Sequence, residues 1–129
     1  MRIGLLVSAA VLAGLVSGAS AQGTVDSRAL VGYWTGRWKS SSGSSDNLYL
    51  DVKTADGDSV QGTVMIVVTT PGVNYYNRDV PFSGFYDGSE LRIWLPPAVG
   101  LALRPENDRL LGSIQGPQTH GTVELERSR

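Results

Sequence analysis

Apolar residues recur at every second position over most of this chain, the period of a strand with one buried face. Eight segments carry the alternation: Leu30–Lys39, Asn47–Thr54, Ser59–Thr69, Asp79–Tyr86, Glu90–Leu95, Leu101–Arg104, Arg109–Gln115 and Gly121–Arg127. No segment sustains a helical period with a cap at both ends. The stretches between them are rich in Gly, Pro, Ser, Asn and Asp, each a turn residue for its own stereochemical reason. The pattern predicts an all-β fold.

In four of these segments a glycine stands between two large apolar residues. Gly36 lies between Trp34 and Trp38, Gly62 between Val60 and Val64, Gly84 between Phe82 and Tyr86, and Gly112 between Leu110 and Ile114. Glycine weakens a strand interior, so its repeated use on one face marks bending or close backbone approach. This predicts a sheet coiled into a small closed barrel of eight antiparallel strands in up-and-down (meander) order.

Parity sets the faces. With Asp87-Gly88 as a two-residue loop, Phe82 falls opposite Ile93, Gly84 opposite Leu91 and Val80 opposite Leu95, all on one face. Leu48, Leu50 and Val52 share even numbering with Val60, Gly62 and Val64, so an odd number of residues must separate the two runs. A three-residue loop, Ala55-Asp56-Gly57, is expected to supply it. The inward face then holds Trp34, Trp38, Leu50, Val64, Phe82, Ile93, Leu103 and Leu125 among others. The outward face carries charges such as Arg37, Lys53, Arg92 and Glu124. An outer-membrane barrel would show the reverse.

Five apolar residues interrupt the polar face: Met65, Val67, Phe85, Trp94 and Leu111. If contiguous they form a partner-contact surface, for which Met65, Phe85 and Trp94 are the candidates. Otherwise the segment Gln22–Ala29 or a long loop covers them.

Residues 1–21 are expected to be a cleaved signal peptide. Arg2 supplies a positive start, Ile3–Val16 an apolar run too short for a bilayer-spanning helix, and Ala19-Ser20-Ala21 a small-residue cleavage site. The mature chain is then one domain, residues 22–129, in a periplasmic or secreted location. Losing Arg2 takes the 11 basic residues to 10 against 12 acidic ones, and no block of like charge remains. Nucleic acid and membrane insertion are therefore not expected. The chain has no cysteine, so it makes no disulfide and carries no lipid anchor on a cysteine.

Candidate chemistry is sparse. The one histidine, His120, reads as an exposed turn residue, and without cysteine a transition-metal site would need all-oxygen ligation. Asp56-Gly57-Asp58 has the start of a calcium loop but not its further ligands. Glu90, Glu124 and Glu126 lie on the outward register beside Arg92 and Arg127, the arrangement of surface ion pairs. No cofactor, metal or catalytic residue is assigned. The connection Thr70–Asn77 carries adjacent Tyr75 and Tyr76, which suit recognition or alternatively cap a barrel end.

The opening Gly32-Tyr33-Trp34-Thr35-Gly36-Arg37-Trp38 resembles the glycine-x-tryptophan start of lipocalin-like and avidin-like barrels. The mature chain also resembles the all-β domain that precedes some secreted bacterial α/β-hydrolases. It shares the W-x-G start, Asp56-Gly57 with Gly62, the Asp87-Gly88 hairpin and the closing Gly121–Arg127 strand. The lipocalin resemblance implies that Arg127 packs over Trp34. The chain departs from lipocalins in length and in lacking their threonine–aspartate–tyrosine motif, and from the hydrolases in lacking a catalytic domain.

The expected function is a non-catalytic binding module. A small apolar or amphipathic ligand would contact Trp34, Trp38, Tyr75, Tyr76 and Phe82, at the mouth near Pro96-Pro97. The alternative is a protein-interaction module, an inhibitor or accessory subunit of an envelope or secreted enzyme.

Overall fold

The computed structural model describes residues 25–68, 77–117 and 120–128. The signal-peptide assignment and the Tyr75-Tyr76 pair lie outside the described residues. A short 3-10 turn, Ser27–Leu30, leads into eight strands: β1 Gly32–Ser40, β2 Ser45–Asp56, β3 Ser59–Ile66, β4 Val80–Tyr86, β5 Leu91–Leu95, β6 Val99–Glu106, β7 Arg109–Gln115 and β8 His120–Arg127. Each pairs antiparallel with the next, and β8 pairs with β1, so the sheet closes into an up-and-down barrel. Closure gives every strand a neighbour on both sides, with the β4–β5 ladder the shortest at three residue pairs.

The alternation explains the interior. Trp34, Leu48, Leu50, Val60, Leu91, Leu103, Leu110 and Leu125 are buried in a single apolar cluster. Leu30 belongs to the 3-10 turn rather than to β1, yet it is buried as its apolar character demands. Tyr86, flanking Gly84, is buried too, and its hydroxyl donates to Gly88 O at 2.9 Å.

Both hairpins keep the expected faces by different means. Between β4 and β5 the register is Gly84 with Ile93 and Tyr86 with Leu91, a shift of two residues from the expected pairing. The turn holds four residues because the Asp87 carboxylate organises it. That carboxylate accepts from Ser89 N, Ser89 Oγ and Glu90 N, and Asp87 N donates to Glu90 O. An even shift preserves the faces.

Between β2 and β3 the turn is two residues, Gly57-Asp58, since Asp56 pairs with Ser59. Gly57 takes a positive φ of 62° there. The odd residue lies instead in β2, where the register slips between Val52 and Thr54. A bulge at Lys53 thus replaces the three-residue loop. Gly62 sits against that bulge, and a Cβ on it would overlap Asp51 O and lie 3.1 Å from Lys53 N.

The inward glycines are occupied by neighbouring backbone. A Cβ at Gly36 would overlap Glu124 O and lie 2.8 Å from Leu125 Cα; Gly112 and Gly121 face Ala102 O and Lys39 O in the same way. Gly84 is less tight, with Arg92 O at 3.0 Å. The room these residues provide is used by adjacent strands crossing the bends of a strongly coiled sheet.

Candidate functional site

Three of the expected ligand contacts lie in the core. Trp34 is 1 % exposed, Trp38 6 % and Phe82 6 %. The surrounding Leu48, Leu50, Leu91, Leu95, Leu103, Leu110 and Leu125 expose no surface at all. Side chains around a water-filled lumen would keep some accessible surface, so these meet one another, as a barrel of eight strands permits.

One end of the barrel is capped by the 3-10 turn. The Trp34 indole N–H donates to Leu30 O at 2.9 Å, and the Arg127 guanidinium lies over the Trp34 ring. Arg127 also donates to Val31 O at 3.0 Å and to Ala29 O, with Asp108 Oδ1 3.5 Å from its Nε. Asp26 caps the turn by accepting from Arg28 N, and Val25 N donates to Gly88 O. Hydrogen bonds from the Arg28 side chain and backbone lower the Asp26 pKa to about 2.

The opposite end holds the ends of β1, β3, β5 and β7, so the Pro96-Pro97 turn lies there with Val67, Val68 and Asn77. Here the Trp38 indole N–H reaches across β2 to Val67 O at 3.0 Å. The Asn77 side chain mimics a strand partner, accepting from Val68 N at 2.8 Å and donating to Val68 O at 3.1 Å.

The outer wall carries the most distinctive surface. A concavity of about 550 Å³ runs across β4 to β7, lined by Phe85, Arg92, Trp94, Ala102, Ser113 and Gln115. Phe85 is 47 % exposed and Trp94 57 %. Phe85 pairs with Arg92, and Trp94 follows two positions along the same face of β5. Trp94 pairs with Gly100 and leans over it, and a Cβ there would meet the indole at 3.8 Å. Glycine at 100 and alanine at 102 keep the floor low on β6, on the side of Trp94 away from Phe85.

The five outward apolar residues do not form one patch. Met65 pairs with Tyr49 on the far side of β3 and is half-buried; Leu111 lies between Arg104 and Glu124. Phe85 and Trp94 alone of the five line the groove. Sequence reasoning missed Gly100, Ala102, Ser113 and Gln115 as its floor and rim. Their small or polar side chains give no signal until β6 and β7 are placed beside β5.

The charged groups near the groove are paired. Arg92 Nε donates to Glu90 Oε1 at 2.8 Å, and its Nη2 lies 3.6 Å from Asp87 Oδ2. Hydrogen bonds from Ser89 and Glu90 backbone, then the Ser89 hydroxyl, lower the Asp87 pKa. Phe85 is also part of a second concavity of about 490 Å³ at the capped end, beside Val25, Asp58 and Asp87. Among the described residues no group of three or more His, Asp or Glu is placed to hold a metal ion. His120 is exposed at the start of β8, and Glu124 pairs with Arg109.

No protein-family model, curated protein or solved structure matches the chain.

Proposed function

We propose that this protein is a non-catalytic binding module whose recognition surface is the outer groove of β4–β7. The observation that carries the reading is the pair Phe85 and Trp94, exposed diagonally on β4 and β5 in one concavity, with the small residues Gly100 and Ala102 next to Trp94 on β6. Among the described residues the exposed large apolar side chains are Val31, Tyr33, Phe85 and Trp94, and the last two share one concavity, a concentration that marks a contact site. The Arg127–Trp34 stack and the 3-10 turn across one end support a lipocalin-like barrel. The amino-terminal apolar run supports a secreted or periplasmic location.

A second reading, a small apolar ligand at the opposite end, is favoured by the presence there of Trp38, Val67 and the Pro96-Pro97 turn. Titration of isotope-labelled protein with a fragment library separates the two. The surface reading expects amide shifts at Ser83, Phe85, Trp94, Ala102 and Gln115. Shifts confined to Trp38, Leu48, Ile66 and Leu95 would overturn it in favour of the second.

A further inference from the structure

We infer that the groove takes a neutral saccharide of two or more rings, one pyranose stacked against Trp94 and Phe85 and the saccharide's hydroxyls hydrogen-bonded by Ser83, Ser113 and Gln115. This rests on the reading of the outer face as the recognition surface.

Charge argues for a neutral ligand. Among the described residues the only ionised side chain lining the groove, Arg92, is held by Glu90 and Asp87, and the other polar groups are hydroxyls and one amide. The groove thus offers no uncompensated charge to an anion. Closure of the barrel argues against an extended peptide, because each strand already has a neighbour on both sides and no whole strand is open to main-chain pairing. Recognition must come from side-chain faces and hydroxyl-directed hydrogen bonds.

A pyranose has that chemistry. One ring face presents C–H groups to the electron-rich face of an aromatic ring, and the equatorial hydroxyls both donate and accept. Phe85 and Trp94 stand diagonally on adjacent strands, about 7–8 Å apart by sheet geometry, so one ring can touch both. Gly100 lets the Trp94 indole lie close to the sheet, which restricts it before any ligand arrives. Ser113 and Gln115 on β7 and Ser83 on β4 rim the groove from opposite sides. β4 and β7 lie three strand spacings of about 4.8 Å apart, so a ring on Trp94 and Phe85 reaches Ser83 and the next ring of the saccharide reaches Ser113 or Gln115.

The test is affinity electrophoresis of the protein through gels containing soluble α-glucan, β-glucan, xylan or galactomannan, with polygalacturonate and chitosan as charged comparators. Retardation is expected in at least one neutral polymer and not in the charged ones. Trp94→Ala is expected to weaken it about tenfold, the loss of one aromatic stacking partner, with an unchanged circular dichroism spectrum. Gln115→Ala is expected to weaken it less. Retardation that Trp94→Ala leaves intact would overturn the assignment. If apolar fragments shift the groove amides while no saccharide binds, the ligand class falls and the surface reading stands. If nothing shifts the groove amides, both fall.

Discussion

The guanidinium carbon of Arg127 lies 4.2 Å from the centre of the Trp34 ring, so the last strand clamps a tryptophan of the first. The same guanidinium holds Ala29 O and Val31 O, and Trp34 holds Leu30 O. Two side chains thus satisfy three successive carbonyls of the segment that covers one barrel end. An aromatic core, a cation–π contact and the closing ladder meet at one point.

Replacing Arg127 with alanine should therefore destabilise the barrel by about 2–3 kcal/mol, from one partly desolvated cation–π contact and two charge-assisted hydrogen bonds. Arg127→Lys keeps the charge but cannot reach both carbonyls, and should recover roughly half of that loss. Urea unfolding of the three proteins measures it. Equal stability of Arg127→Ala and the parent would refute the clamp.

The glycines make a sharper contrast. Gly36→Ala and Gly112→Ala place a methyl against a neighbouring carbonyl, and each should cost more than about 3 kcal/mol or prevent folding. Gly100→Ala meets the Trp94 indole and Ile93 O at ordinary contact distance and should stay within about 0.5 kcal/mol of the parent. Thermal denaturation of the series decides whether bends or ligand space explain these residues.

Acid should loosen the capped end. The Asp26 carboxyl is lowered to about 2 by its hydrogen bonds with Arg28, and Asp87 is lowered by its turn. A carboxyl depressed in the folded state stabilises above its unfolded value near 3.8 and loses that contribution as pH falls through the folded value. The melting temperature should fall between about pH 4 and pH 2, and less steeply in Asp26→Asn and Asp87→Asn. A parallel fall in all three proteins would assign the acid sensitivity elsewhere.

Tryptophan emission should resolve the two faces. Of the three tryptophans, Trp34 and Trp38 are buried and Trp94 is exposed. Acrylamide should quench a red-shifted component that Trp94→Phe removes, leaving blue-shifted emission. A quenchable component that survives in the variant would place Trp38 or Trp34 in solvent.

Much of this was legible along the chain. Every strand was, because alternation is local and each side chain's face follows from its number. Burial of Trp34, Trp38, Leu50, Phe82 and Leu125 followed directly. The outward position of Phe85 and Trp94 did too, but not their meeting in one groove or the separation of Met65 from them. Contiguity depends on which strands pair and how far each slides, and Gly100, Ala102 and Gln115 carry no periodic signal of their own.

The clearest division lies around Lys53 and Gly62. Even numbering of the apolar residues on both strands determined that an odd residue must intervene between Val52 and Val60. Only the tertiary structure decided that it sits in a bulge within β2 rather than in the turn. Parity counts residues without locating them, whereas a bulge forms where one strand must bend against the bare backbone of its neighbour. The same holds for the glycines: their face was fixed by alternation, and what fills the space beside them was decided by the carbonyls of strands paired across the barrel.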